Sequence, residues 1–255
     1  MKRLALQLSM IVLAVAAGDA RAERLISSLS SHQVMIGSSF TGMELVLFGS
    51  IERDAATVPR RGGYDIVVTV LGPRETLVAR KKERTLGIWT NAQTQAFDNA
   101  PSYLAVLSNR LIDRITAPDL QRRYEIGLVN VPLLKDGARL PAEREPFRQA
   151  LIALMSKRGL YREEENAVTF LTPNLFRTGI VLPAEAAVGN YEVNVKLFAD
   201  GVLIARTTSA LEIVKVGVEQ FVASAARDHA LLYGFGVMGM ALATGWFASL
   251  IFRRD

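Results

Sequence analysis

NYEVNVKLFADGVLIARTTSALEIVKV, residues 190–216, decides the fold. Tyr191, Val193, Val195 and Leu197 alternate with Glu192, Asn194 and Lys196, the period-two pattern of a strand with one face inward and one toward water. Asp200-Gly201 then separates this run from a second one. That dipeptide between two alternating segments is a strong hairpin signal, because both central residues of the tight turn need positive φ.

Working toward the N-terminus, the same pattern recurs. In MELVLFGSI, residues 43–51, Met43, Leu45, Leu47 and Ile51 share a face while Glu44 and Ser50 take the other. YDIVVTVLG, residues 64–72, reads as a half-buried to buried strand, and GPRE at 72–75 turns the chain into a segment whose strand-forming residues run to Trp89. NAQTQAFDNAPS, residues 91–102, is polar and reads as a long surface loop before the strand YLAVL. Between about 110 and 158 the period becomes helical: Phe147, Ala150, Leu151, Leu154 and Met155 form one stripe and Gly159 stops it. Short strands with hairpin turns, and no regular strand–helix alternation, predict a mainly β protein. The expected architecture is an immunoglobulin-like antiparallel β-sandwich with a helical insertion, in an exported domain of residues 23–217.

The two ends read as membrane-directed. Lys2 and Arg3 precede an apolar run, Leu4 to Ala17, followed by Ala20-Arg21-Ala22, the features of a signal peptide cleaved after residue 22. Residues 218–229 are expected to form a juxtamembrane helix. Ala230 to Phe252 contains no charge and spans about 34 Å as a helix, against about 30 Å of hydrocarbon. Arg253 and Arg254 follow at once, so residues 253–255 are expected in the cytoplasm and the main domain outside the inner membrane, in a bacterial periplasm. Gly239, Ala241, Ala243, Gly245 and Ala248 are candidates for a helix-packing face, since small residues allow close approach in lipid.

Composition narrows the function. Of the net charge of +5, three units belong to the two ends, leaving a nearly neutral exported part that is no nucleic-acid binder. Cysteine is absent, and His32 and His229 are the only histidines, which leaves no zinc-ligand spacing. Ser38, Ser39 and Ser50 lack the nucleophile-elbow pattern; Glu163, Glu164 and Glu165 read as a solvated run, and Met35, Met43 and Met155 as packing residues. No catalytic, cofactor or metal site is expected, so the protein is not predicted to be an enzyme.

The segment from Arg80 to Tyr103 is the candidate interaction surface. Arg80, Lys81, Lys82 and Arg84 form a basic cluster, and Trp89, Phe97 and Tyr103 flank the expected loop, a mixture that protein interfaces favour. The same residues fit equally a solvated edge strand guarded by its charges, with Trp89 in the core.

VMIGSSFTGMELVLFGSI, DIVVTVLGP, KKERTLGIWTN and APSYLAVLSNR, with a final span ending in arginines, resemble a family of alphaproteobacterial single-pass membrane proteins. Genes of that family tend to lie beside those of sulfite-exporter-type permeases. The resemblance therefore implies an accessory protein held in the lipid bilayer beside a multispan permease. Two alternatives stay open: a small-anion binder or enzyme using the basic cluster around Arg84, and an envelope-assembly factor.

Overall fold

The computed structural model describes residues 23–38, 40–53, 63–85, 88–134, 141–217, 226, 227 and 229–251, without the side chains of Thr85, Ile88, Trp89, Asn91, Ala92, Glu143 and Leu250. The expected signal peptide, most of the juxtamembrane segment and the residues after Ile251 lie outside the described residues.

Two sheets form the body. The first has the order β1 (Glu23–Leu29), β3 (Gly42–Arg53), β10 (Leu175–Pro183), β9 (Val168–Thr172), every pairing antiparallel. The second has the order β2 (Gln33–Ile36), β12 (Val202–Lys215), β11 (Gly189–Ala199), β4 (Asp65–Leu71), β7 (Leu104–Ser108), β8 (Tyr161–Glu164). The core lies between them: Leu45, Leu47, Ile51, Phe176, Ile180 and Leu182 from the first sheet, and Ile66, Val68, Val70, Val193, Val195 and Leu197 from the second, are all buried. These are the residues that period-two alternation turns inward. The Asp200-Gly201 turn forms as expected, with φ of +50° and +83°.

The expectation of a wholly antiparallel arrangement needs correction. β12 pairs with β2, and β7 with β8, in parallel. A parallel neighbour requires a long crossover rather than a hairpin, and the helical insertion between β7 and β8 is such a crossover.

That insertion contains α1 (Ile112–Ile115), α2 (Pro118–Arg123), a 3-10 turn (Ala142–Arg144) and α3 (Glu145–Lys157). It covers the outer face of the second sheet, which is why every residue of β4 and β7 is buried rather than every second one. Tyr124 meets Phe198 edge-on with ring centroids 6.4 Å apart, and Thr116 donates its hydroxyl hydrogen bond to the Gly201 carbonyl at 2.8 Å. Lys196, expected to face water, is half-buried under this cover.

The stretch expected to run as one strand to Trp89 and then as a loop over 91–102 is instead a two-stranded ribbon, β5 (Arg74–Thr85) with β6 (Ile88–Pro101). Asn91 to Pro101 is strand, and Trp89 stands at the start of the returning leg β6, opposite Arg84. The polar composition that suggested a loop reflects where the ribbon runs, since only its basal half has a core to meet.

Finally, α4 (Ala230–Ile251) is a continuous apolar helix whose residues 230–249 are long and apolar enough to cross a membrane.

Candidate interaction surface

The ribbon grows out of the β4–β7 ladder. Gly72 N–H donates to the Tyr103 carbonyl at 2.8 Å and Ser102 N–H to the Pro73 carbonyl at 2.9 Å, so hydrogen bonding continues from sheet into ribbon. Gly72 is required at this junction. A β-carbon there would sit 2.7 Å from Ser102 Oγ, 2.9 Å from Tyr103 N and 3.0 Å from Tyr103 Cβ.

The basal half of the ribbon is pinned. Phe97, opposite Leu77, is fully buried; Arg144 Nη1 donates to Gln95 Oε1 at 2.7 Å, and Asn99 N–H donates to the Leu133 carbonyl at 3.1 Å. Arg74 Nη1 reaches the carbonyls of Asn99 and Pro132 at 3.0 and 3.3 Å. The distal half has no such cover. Arg80, Lys81, Lys82 and Arg84 are exposed, with Glu83 the one carboxylate among residues 80–84, paired to Lys81 at 2.7 Å. Strand alternation places Arg80, Lys82 and Arg84 on one face of β5 and Lys81 and Glu83 on the other.

Two of the expected surface residues are corrected to core. Phe97 and Tyr103 have no exposed area: Phe97 is an inward residue of β6, and Tyr103, between the end of β6 and the start of β7, turns its ring into the core. Tyr103 donates its hydroxyl to the Val181 carbonyl at 2.7 Å, bridging the two sheets, and packs on Tyr191 with centroids 5.9 Å apart. Tyr161 and Tyr191 likewise donate to the carbonyls of Pro101 and Ala187 at 2.7 and 2.8 Å. Burial raises the pKa of all three, that of Tyr191 to about 12, so they stay neutral donors. Trp89 has its backbone in β6, and its side chain lies outside the described residues.

The small residues of α4 do not form one face. At about 100° per residue, Gly239 and Ala243 lie on one side, and Ala241, Gly245 and Ala248 on roughly the opposite side. A β-carbon at Gly239 or Gly245 would meet nothing within 4 Å.

The acidic run is dispersed. Glu163 Oε2 accepts the Leu128 N–H at 2.9 Å, while Glu164 pairs with Arg162. Among the described residues, no three His, Cys, Asp or Glu side chains are placed to hold a metal ion.

Sequence reasoning did not single out a hollow beside the insertion, of about 260 Å³, lined by Arg123, Tyr124, Glu125, Lys196, Arg206 and their neighbours. Its residues are far apart in sequence and become neighbours only through the cover.

The chain belongs to the family described as "Putative transmembrane protein (Alph_Pro_TM)", whose model matches residues 24–254. Membership and the apolar helix α4 together fit a single-pass membrane protein. No curated protein matches the chain. Among solved structures, the sporulation control protein Spo0M of Bacillus subtilis is similar at 8% identity and TM-score 0.29, over 81% of this chain and 55% of that one. The N-terminal domain of the Streptococcus gordonii adhesin Sgo0707 is similar at 7% and 0.29, over 75% and 32%. Escherichia coli alpha-2-macroglobulin is similar at 9% and 0.28, over 77% and 10%. The chain thus spans about half, a third and a tenth of these three, and such slight likenesses bear on neither fold nor function.

Proposed function

We propose that this family member is a non-enzymatic, membrane-anchored interaction protein. Its β domain faces the periplasm, α4 holds it in the inner membrane, and the ribbon reaches a multispan membrane partner. The observation that carries this reading is the distal ribbon: Arg80, Lys82 and Arg84 share one face of β5 beyond the last core contact. A two-stranded ribbon extended past its own core gains nothing in stability from its far end, since isolated hairpins are marginal in water. A partner surface with acidic groups supplies what the fold does not. The family resemblance makes a sulfite-exporter-type permease the expected partner.

The test is photo-crosslinking of the full-length protein in its own membrane, with the reactive residue at position 82 and, as a control, at Thr208 on the outer face of β12. A discrete adduct with a multispan permease from position 82 alone is expected. Equal labelling from both positions, or no adduct from positions 80, 82 and 84, would overturn the ribbon's role.

A further inference from the structure

The hollow lies over β11 and β12, its floor running along β11 from Glu192, opposite Leu71, to Lys196, opposite Val67, so that Lys196 and its partner Arg206 stand at the end away from the ribbon. Its floor is the outer face of the sheet: Glu192, Asn194, Lys196, Leu203 and Arg206. Its wall is the end of α2. There the chain closes with the Glu125 N–H on the Arg122 carbonyl at 3.4 Å and the Ile126 N–H on the Gln121 carbonyl at 2.9 Å. This paired C-terminal cap requires a left-handed residue, usually glycine, and Glu125 fills it at φ +54°. A strained side-chain-bearing residue is thus held at the rim, beside Tyr124 fixed on Phe198.

The charges in this hollow are unbalanced locally. Lys196 and Arg206 are direct cross-strand partners, an arrangement of like charges that repels. Among the described residues, neither makes a hydrogen bond or ion pair, and Arg123 has only the face of the Tyr124 ring, its guanidinium carbon 5.8 Å from the centroid. Glu192 is engaged by Asn194 Nδ2 at 3.0 Å, and Asn194 Oδ1 in turn accepts the Thr208 hydroxyl at 2.6 Å. Burial lowers the Lys196 pKa, outweighing Glu125 and Glu192, which favour the charged form at longer range, and Arg206 lowers it further. Two facing cations, one half-buried and both without an ion-pair partner, surround a space that an anion would fill with charge-assisted hydrogen bonds.

We propose that this hollow binds a small oxyanion, a carboxylate or phosphate group, held by Lys196 and Arg206 from the sheet and Arg123 from the rim. At about 260 Å³ it is smaller than the roughly 300–1,000 Å³ of drug-sized sites, so the ligand is a small anion or the terminal group of a larger one. The site is independent of the ribbon, and its failure would leave the docking reading intact.

The experiment uses full-length protein in a non-ionic detergent, its lysines tagged by reductive ¹³C-methylation, which preserves their charge. The resonance lost in Lys196→Met is that of Lys196. Titration with inorganic phosphate or acetate at constant ionic strength is expected to move it saturably, with half-saturation in the millimolar range. Arg206→Gln should weaken this response about tenfold or more, the loss of a hydrogen bond to a charged group. Lys82→Gln on the ribbon should leave it unchanged. The same resonance in nanodiscs of phosphatidylcholine, with and without phosphatidylglycerol, separates the sources: movement in the anionic discs without added salt assigns a lipid headgroup, and no movement assigns a free anion. A linear drift indistinguishable from that in chloride, or a saturable response untouched by Arg206→Gln, would overturn the proposal.

Discussion

Replacing Gly72 with alanine tests how the ribbon is seated on the sheet. The new methyl would lie 2.7 Å from Ser102 Oγ, 2.9 Å from Tyr103 N and 3.0 Å from Tyr103 Cβ, where carbon–carbon contacts prefer about 3.5–4.0 Å. Relief needs a shift of several tenths of an ångström or more. Tyr103 resists it, because its ring is fully buried and its hydroxyl is tied to the Val181 carbonyl at 2.7 Å. Overpacking of this kind costs about 1–3 kcal/mol. With a urea slope of about 2 kcal/mol/M, a cost of about 2 kcal/mol lowers the unfolding midpoint by about 1 M. Urea unfolding of the full-length protein in mild detergent, followed by far-ultraviolet circular dichroism, measures this. Gly37→Ala is the control, because its β-carbon would meet only the Val216 carbonyl at an ordinary 3.7 Å. That variant should hold its stability or gain about 0.4–1 kcal/mol through the unfolded chain. A Gly72→Ala midpoint within about 0.2 M of the parent would refute the steric argument.

Three further outcomes are expected. Phe97→Ala should cost about 3–5 kcal/mol and Lys82→Ala less than about 0.5 kcal/mol in the same urea assay, and a similar cost for both would contradict the division of the ribbon into pinned base and free end. Tyr191→Phe should lose about 1 kcal/mol, the hydrogen bond to the Ala187 carbonyl. Because burial raises the Tyr191 pKa from 10.0 to about 12, the neutral hydroxyl's contribution is complete below pH 10 and fades from there to about 12. Thermal melts of Tyr191→Phe should therefore fall less steeply over that window than those of the parent; parallel curves would count against it. Glu125→Gly should raise stability by up to about 1 kcal/mol by relieving the left-handed backbone, and a lower melting temperature would show that the glutamate side chain is needed by the fold.

How much was legible in the sequence depended on range. Val193, Val195 and Leu197 declare their inward face by spacing alone, and Asp200-Gly201 declares its turn, because both signals need only neighbouring residues. The apolar stripe of α3 was legible in part for the same reason: Leu151 and Met155 are buried as expected and Phe147 is half-buried, although Ala150 and Leu154 are exposed at its margin. Residues 91–102 were not legible as a strand. Gln95 is buried only because Arg144 comes to meet it, and Asn99 is engaged only because Leu133 and Leu134 lie alongside, so these polar side chains look like loop until the insertion is in place. Phe97 was misplaced for the converse reason: Gln95, Asp98 and Asn99 surround it in the sequence, but its spatial neighbours are the core; Tyr103, at the head of the apolar run YLAVL, was placed at the surface only because the stretch before it read as a loop.

Sequence by itself determined the two-run hairpin, the apolar stripe of the insertion and a C-terminal helix long enough to span a bilayer, all consequences of local periodicity and length. Only the tertiary structure decided what the outer face of the second sheet would hold. Counting back from the Asp200-Gly201 turn places Lys196 opposite Ala205 and Arg206 opposite the core residue Val195. The register instead shifts at Leu197/Phe198, so that Lys196 faces Arg206 and Val195 faces Thr207. A one-residue slip in a strand exchanges its faces. That shift keeps an arginine out of the core and sets it beside the half-buried lysine, and the cover supplied by Tyr124 and Glu125 turns the pair into a site.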